Sequence, residues 1–571
     1  MKRIKNIFLY GIGVAMLFSC NKQIESKQQD PNNPASVTPN LILGTVLTMM
    51  SGSQGNSSVG ALGGVNSWDL VHGWNQYHCQ NYDYYGTNIY TWSDNGTETP
   101  SSTTAANISN GPFNSYLAIK DVVQMANYAD TLYGDLNAYE AVGRFIKAYY
   151  YYNMTMLMGD VPLSNALQGL SNLTPAYTSQ EQVFAYVLSE LDSANSDLAT
   201  LIAQNGTSLA DNLSATQDIY YNGNLTQWQK LVNTFKLRVL VELSNKTSDA
   251  TLNVPARFAA ILNTPGQYPI FASQADDFQF LYNPGASSTY SIYPFNPSNF
   301  GSIAGRFNMA ATYVGALTNL NDPRVFITCE PAWRYVDTAN GGTDTTGGYA
   351  PTDFRVFVGA STGETEGTMY NQASAGVLSF INRKRYYSNF TGDPNVLVGY
   401  KEMLFNIAEG IERGWAGAGN AETFYQNGIK ASMGFYGIDV NDTSFTAYFL
   451  PPGANAVTQV APYPFTFHWN NYYSQAGVQL SGTQQTAIQQ IVLQKYLAMF
   501  ENSGWEAYYN WRRTGVPAFQ GGPGIGNNGV VPLRWEYPTS EQIQNAANWS
   551  AALKNQGFTA DDLNQKIWVL Q

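Results

Sequence analysis

Acid–base and nucleophilic chemistry needs histidine, cysteine or paired carboxylates at close quarters, and this chain supplies few of the first two. His72, His78 and His468 are its only histidines in 571 residues. No His-Glu-x-x-His or Cys-x-x-Cys occurs, which removes the common zinc arrangements. No Gly-x-Ser-x-Gly elbow is present. His72 and His78, six positions apart, would share one helix face poorly. The run GGPGIGNNG (521–529) is too rich in glycine for a helix and has no Gly-Lys-Ser/Thr, so it reads as a loop. No Asp-x-Asp-x-Asp-Gly calcium loop appears. Carboxylates abound, so counting alone leaves a glycosidase pair open. Glu402, Glu409 and Glu412, however, fall on a predicted helix, where solvated or capping roles are expected. No metal and no cofactor are expected.

Aromatic side chains are the other group able to hold a molecule. The segment SWDLVHGWNQYHCQNYDYYGTNIYTW, Ser67–Trp92, holds eight Trp or Tyr, against 14% aromatic residues overall. Ser67 to about Asn81 reads as a helix with Leu70, Val71, Trp74, Tyr77 and His78 on one face, so Trp74 and Tyr77 are expected in the core. After Asn81 the period breaks. Tyr84, Tyr85 and Trp92 fall in loop sequence, and Trp68 lies at the helix start. Rings in loops are harder to bury. Two further clusters, Tyr290–Phe295 with Tyr293 and Trp333–Tyr335 with Trp333, sit in loop-like sequence as well.

Net charge is −12, which argues against nucleic acid as a partner. Only 12% of residues are charged, a surface suited to uncharged polar ligands. Met1–Lys5 is basic, and Ile7–Phe18 is an apolar run too short to span a bilayer but right for a signal peptide. Leu17-Phe18-Ser19-Cys20 then looks like a bacterial lipobox, which makes Cys20 the expected lipidated residue. Residues 1–19 are read as signal peptide, and 20–37, polar with prolines, as a flexible tether. In the remainder Cys79 and Cys329 either pair or stay free and buried.

From residue 38 onwards the periodicity is helical. Thr38 and Pro39 suit a helix start. Helical blocks follow at about 112–158, 179–204 and 225–245, then at 399–435 and in a last pair ending near Arg512 and Arg513. Gly159-Asp160-Val161-Pro162 stops one helix, Ser179 or Thr178 opens the next, and Asn420 caps a later one. Between about 265 and 398 helical period is lost, and Pro, Gly, Asn, Ser and Tyr dominate. Residues 38–571 are read as one domain: a helical scaffold at about 38–264 and 399–517, with a loop-rich insert at about 265–398. The fold class is mainly α, with about four helical pairs of tetratricopeptide-like character.

Several of these segments, in order, resemble the SusD/RagB family of outer-membrane nutrient-binding lipoproteins of Bacteroidetes. They are the lipobox with DPNNPASVTPNLIL, then RFIKAYYYYNMTMLMGDVPLSNAL, LFNIAEGIERGW, and IVLQKYLAMFENSGWEAYYNWRRTGVP followed by LRWEYPTSEQIQN. Within the last, Gln494-Lys495, Glu506-Ala507 and Trp511-Arg512-Arg513-Thr514-Gly515 match the family pattern. Tyr537-Pro538 appears inverted. Family members often carry acidic residues after the lipidated cysteine, whereas here Asn21-Lys22-Gln23 follow and Glu25 is the only nearby acid.

The resemblance implies a lipid-anchored protein on the cell-surface side of the outer membrane. It also implies a SusC-like TonB-dependent transporter as partner, and non-catalytic binding of an oligomeric nutrient. Most characterised members bind glycans and some bind peptides, and a ring-rich, charge-poor chain leans towards glycan. An outer-membrane glycosidase is the alternative outside the family. A pyranose lays its apolar C–H face on an aromatic ring, at about 1 kcal/mol per platform by analogy with other ring contacts. The candidate ligand-contacting residues are therefore Trp68, Tyr84, Tyr85, Trp92, Tyr293 and Trp333. If Cys20 carries the lipid, Cys20→Ala should move the protein from the membrane to the soluble fraction and abolish lipid labelling.

Overall fold

The computed structural model describes residues 37–51, 71–81, 111–285, 292–416 and 419–571. Cys20 lies outside these residues. Short polar side chains set the helix boundaries. Asn137 accepts from Glu140 N (2.8 Å) at the start of α3 (Ala138–Met158). Its amide also donates to Asp130 Oδ1 (2.9 Å) and Gly134 O (2.8 Å), at the end of α2 (Ser115–Tyr133). One asparagine thus closes a helical hairpin. Ser179 caps α4 (Gln180–Gln204), and Asp160 accepts from Gln180 N at 2.8 Å. Gly159 ends α3 at φ 96°, and a Cβ there would meet the Gln556 side chain at 2.0 Å. Asn224 starts α5 (Leu225–Glu242), while Asp218 ties the preceding loop by accepting from Gly223 N and Trp228 Nε1.

Each scaffold helix packs on its neighbour in sequence. α1 (Pro39–Ser51) lies on α2, α2 on α3, α3 on α4, α4 on α5, and α5 on α6 (Val254–Asn263). This is the stacked-pair logic expected of a tetratricopeptide-like scaffold. After the insert, α8 (Tyr400–Glu412) returns onto α5 and pairs with α9 (Ala421–Phe435), and both meet α10 (Gln484–Ala498). α11 (Glu506–Thr514) completes the scaffold. The insert contributes α7 (Ala311–Asn319) and short helical turns. Strands among the described residues form two-stranded antiparallel pairs only: β1 (His78–Gln80) with β5 (Phe307–Met309), β2 (Val161–Pro162) with β3 (Tyr177–Thr178), β4 (Phe278–Phe280) with β6 (Asn395–Val398), and β7 (Ser444–Phe449) with β8 (Ala461–Thr466). The fold is mainly helical, as the periodicity predicts. The segment 436–482 contains the β7–β8 hairpin, in register from Ser444↔Thr466 to Phe449↔Ala461.

The expected helix over 67–81 is corrected. Among the described residues it runs only from Val71 to Trp74 and gives way to β1. Tertiary bonds outcompete the helical period here. Asn75 donates to Gly504 O (2.7 Å) and accepts from Tyr508 N (3.1 Å). Gln76, at φ 56°, clamps the backbone of Gln520 through both ends of its amide. The turn sends the two neighbouring rings into different cores. Trp74 packs on Trp505 and Trp535 in the scaffold core, and Tyr77 stacks on Tyr496 at 4.6 Å in a second core beneath the insert. Both rings are buried, as expected.

Charged side chains occupy the junction of α3, α5, α8, α10 and α11. Arg238 donates to both oxygens of Glu402 (2.7 and 2.5 Å) and to Leu397 O (2.8 Å). Glu506 lies 3.8 Å away and accepts from Tyr152 Oη (2.8 Å). Arg513 forks onto Glu409 and approaches Glu242 at 3.4 Å. Lys495 and Arg513 share Asn510 Oδ1. Glu402 and Glu409 are therefore not solvated, as their helical setting suggested: their side chains are 1% and 0% exposed. Burial would raise the Glu409 carboxyl, but Arg513 and Arg413 override it and hold it near about 2. For Glu506 burial prevails, Glu242 and Glu402 add to it, and the carboxyl is pushed up to about 7 against Arg238. A carboxyl raised in the folded state stabilises fully below its unfolded value and loses that contribution as pH rises through the folded one. Glu506→Gln should thus remove up to about 3 kcal/mol of pH-dependent destabilisation developing between about pH 4.5 and 7. Urea unfolding of both proteins across that range checks it; parallel curves would refute it.

Candidate functional site

The insert and the β7–β8 hairpin meet through buried and half-buried rings, and each turns one ring outward. Segment 333–349 folds back on itself: Tyr349 N donates to Tyr335 O (3.0 Å), Asp337 N to Tyr349 O (3.1 Å), and Thr343 N to Trp333 O (3.1 Å). Asp337 caps the next turn by accepting from Asn340 N (2.8 Å). Tyr349 stands 38% exposed, with the Arg355 guanidinium 3.8 Å from its ring centroid. Arg355 is itself held by Asp353 through Nε (2.8 Å) and Nη2 (2.5 Å). On the hairpin, strand alternation turns Ala447 and Phe449 inward and Tyr448 outward, 44% exposed. Tyr463, opposite Ala447, stacks on Phe449 and reaches the Trp333 ring at 6.2 Å.

The sequence-predicted residues distribute unevenly over this arrangement. Trp68, Tyr84, Tyr85 and Trp92 lie outside the described residues. Tyr293 is described and is a core ring, 1% exposed, edge-on to Tyr282 at 4.9 Å. Its backbone N donates to Phe390 O (2.8 Å), and Gly392 packs so close that a Cβ would strike the Tyr293 ring. A ring enclosed in this way offers no face to a ligand, which corrects the expectation of contact. Trp333 is also buried, at 8%, and lies against Tyr463 of the hairpin; its indole Nε1 has no hydrogen-bond partner among the described residues. The exposed rings Tyr349 and Tyr448 were missed. Tyr448 was signalled by the period-two pattern of SFTAYF, and Tyr349 only by its position after two glycines.

Asp353 is held below the usual carboxylate range by its hydrogen bonds with Arg355, and Asp344 by the backbone and hydroxyl of Thr346. A glycosidase acid needs the reverse shift. The histidines depart from expectation in another way. The break after Trp74 brings His78 round to the carboxylate that His72 meets, with their Nε2 atoms 3.5 and 3.9 Å from Glu501 oxygens. Burial, with His78 alongside, lowers the His72 pKa well below the ordinary imidazole value. Among the described residues no group of three or more His, Cys, Asp or Glu has the geometry to hold a metal ion. Cys79 and Cys329 are both free and buried, and burial pushes the Cys329 thiol up to about 12.

Comparisons with known proteins point one way. The model of a family described as "Starch-binding associating with outer membrane", SusD-like, matches residues 68–538. Two SusD homologues of Bacteroides fragilis share the fold, at 26% identity and TM-score 0.71, and at 27% and 0.67; each comparison covers 94% of this chain and 100% of the other. A chitin-binding SusD homologue of Flavobacterium johnsoniae has the same fold at 20% identity and TM-score 0.63, over 93% and 98% of the two chains. Comparison with curated proteins finds no match. With a family match over most of its length, a stacked helical scaffold and solved SusD homologues aligned across nearly the whole chain, this protein belongs to the SusD-like family of outer-membrane-associated binding proteins.

Proposed function

We propose that this protein is a non-catalytic, lipid-anchored receptor on the cell-surface side of the outer membrane. It binds an oligomeric glycan and passes it to a SusC-like TonB-dependent transporter. The observation that supports the glycan reading is a pair of exposed rings on the surface of the insert and hairpin: Tyr349, on the folded-back segment that also exposes Asn340, and Tyr448, on the outer face of the hairpin. Aromatic faces with neutral polar groups around them suit sugar C–H faces and hydroxyls. The family's description as starch-binding supports the same class. Trp68, Tyr84, Tyr85 and Trp92 remain proposed additions to this surface. The anchor at Cys20 and the tether 20–37 would keep it beside the transporter.

Calorimetry against a panel of neutral oligosaccharides and peptides tests the reading. Tyr349→Ala and Tyr448→Ala should each weaken the glycan that binds by about 1 kcal/mol, roughly fivefold in Kd, with little change in melting temperature. Trp333→Ala, by contrast, should cost about 3–5 kcal/mol of stability, because it empties a packed site. Binding by peptides alone, or release of hydrolysis products, would overturn the glycan-receptor reading. Affinity isolation in mild detergent should recover a TonB-dependent barrel, and its repeated absence would refute the delivery role.

A further inference from the structure

A cleft of about 370 Å³ opens in the scaffold between α4, α5, α6 and the segment Gly266–Tyr268. Its volume lies within the ordinary range for small-molecule sites. Apart from Gly266–Tyr268, at the very start of the insert, its lining comes from the scaffold, and none of it belongs to segment 333–349 or to the hairpin. Its charge runs against that of the chain. Lys236 and Arg257 line it with a single carboxylate, Asp192, giving a net positive site in a protein of net charge −12.

The donors of this site are underused. Lys236 Nζ meets Asp192 Oδ1, and Arg257 Nη1 meets Asp192 Oδ2. A guanidinium has five N–H donors and an ammonium three. Arg257 spends one on the protein, and so does Lys236, whose side chain is only 4% exposed. Both side chains line the cleft. Its opposite wall is fixed without any ligand. Asn195 accepts from Gln229 (3.0 Å) and Asn233 (2.9 Å) and donates to Gln267 O (3.2 Å), and Asn233 holds Pro269 O (3.0 Å). Tyr268 closes one side, its ring centroid 5.3 Å from Lys236 Nζ.

We propose that this cleft binds one carboxylate group carried on a small polar molecule, an acidic sugar or an acidic amino acid. A monoanion neutralises the surplus cation, whereas a dianion would reverse the charge. The planar two-oxygen head matches the guanidinium fork, and the buried ammonium adds a second charged donor. A neutral sugar leaves those donors unspent.

Calorimetric titration of the full chain with glucuronate, glutamate and glucose tests this. At least one acid should bind in a manner that depends on Arg257, and glucose should show no such binding. Glucuronate alone identifies an acidic sugar, glutamate alone an amino acid, and both together a carboxylate site indifferent to its carrier. Arg257→Gln should weaken binding by about tenfold or more. Asp192→Asn should tighten it severalfold by releasing both cations. No titration by either acid, glucose binding that Arg257→Gln weakens, or unchanged acid affinity in a folded Asp192→Asn protein would overturn the proposal. Sugar binding at Tyr349 or Tyr448 is untouched by either cleft substitution, so failure here and failure of the glycan reading are told apart.

Discussion

The interaction on which the architecture depends is the buried contact of Arg238 with Glu402, 164 positions apart in sequence. Removing two charges from water costs several kcal/mol per ion, and the mutual attraction compensates only with good geometry and further hydrogen bonds. Both conditions hold. The guanidinium forks onto both oxygens, Leu397 O takes another donor, and Ser503 Oγ supplies Glu402 with a second partner at 2.8 Å. Such a pair adds little net stability over a well-packed apolar one, but it is intolerant of misplacement. An α8 shifted along α5 would leave a buried charge without its partner. The network therefore sets where the chain returns after the insert. Leu397, on β6, ties the end of the insert to the same point.

Aromatic side chains fill the space around this junction, which explains their number. From Tyr149 to Met158 every residue of α3 is buried, and Tyr152 spends its hydroxyl on Glu506. Rings there meet mostly edge to face, as in Tyr152–Phe235 and Phe145–Phe278. In the second core Tyr313 stacks on Phe500 at 4.4 Å, and Phe326 gathers Phe354, Phe357 and Phe465. An aromatic-rich composition therefore does not mark a ligand surface. Among the described residues few rings stand well exposed: Tyr448 where the pleat points outward, Tyr349 in a turn, and Tyr370 on the short helix Glu366–Ser374.

The scaffold was legible in the sequence because its signals are local. Asn420, Ser179 and the Gly159 turn act within a few residues of themselves, and the structure has each where the periodicity puts it. The site was less legible because exposure in an insert is decided by distant segments. Tyr293 and Trp333 occupy loop sequence and are still buried, one by Tyr282 and the close-packed Gly392, the other beneath a hairpin more than a hundred residues later. The helix expected from Ser67 fails for the same reason. Its period is intact, but Asn75 and Gln76 bond to residues beyond 500.

The same logic explains why the segments that identify the family leave the ligand open. Of the pattern around α10 and α11, Glu506 and Arg513 belong to the buried charge network, and Lys495 reaches it through Asn510. Arg512 does not simply complement a helix dipole. It donates to Met156 O (2.7 Å) near the end of α3 and to Leu533 O (2.9 Å). Gln494 accepts from Arg324, whose guanidinium is bound to Asp322 in the buried turn under the insert. These five residues of the signature thus work inward, holding helix to helix or scaffold to insert. On the proposed reading, ligand choice falls to outward-facing side chains on the insert and hairpin, which can change without disturbing any of these bonds.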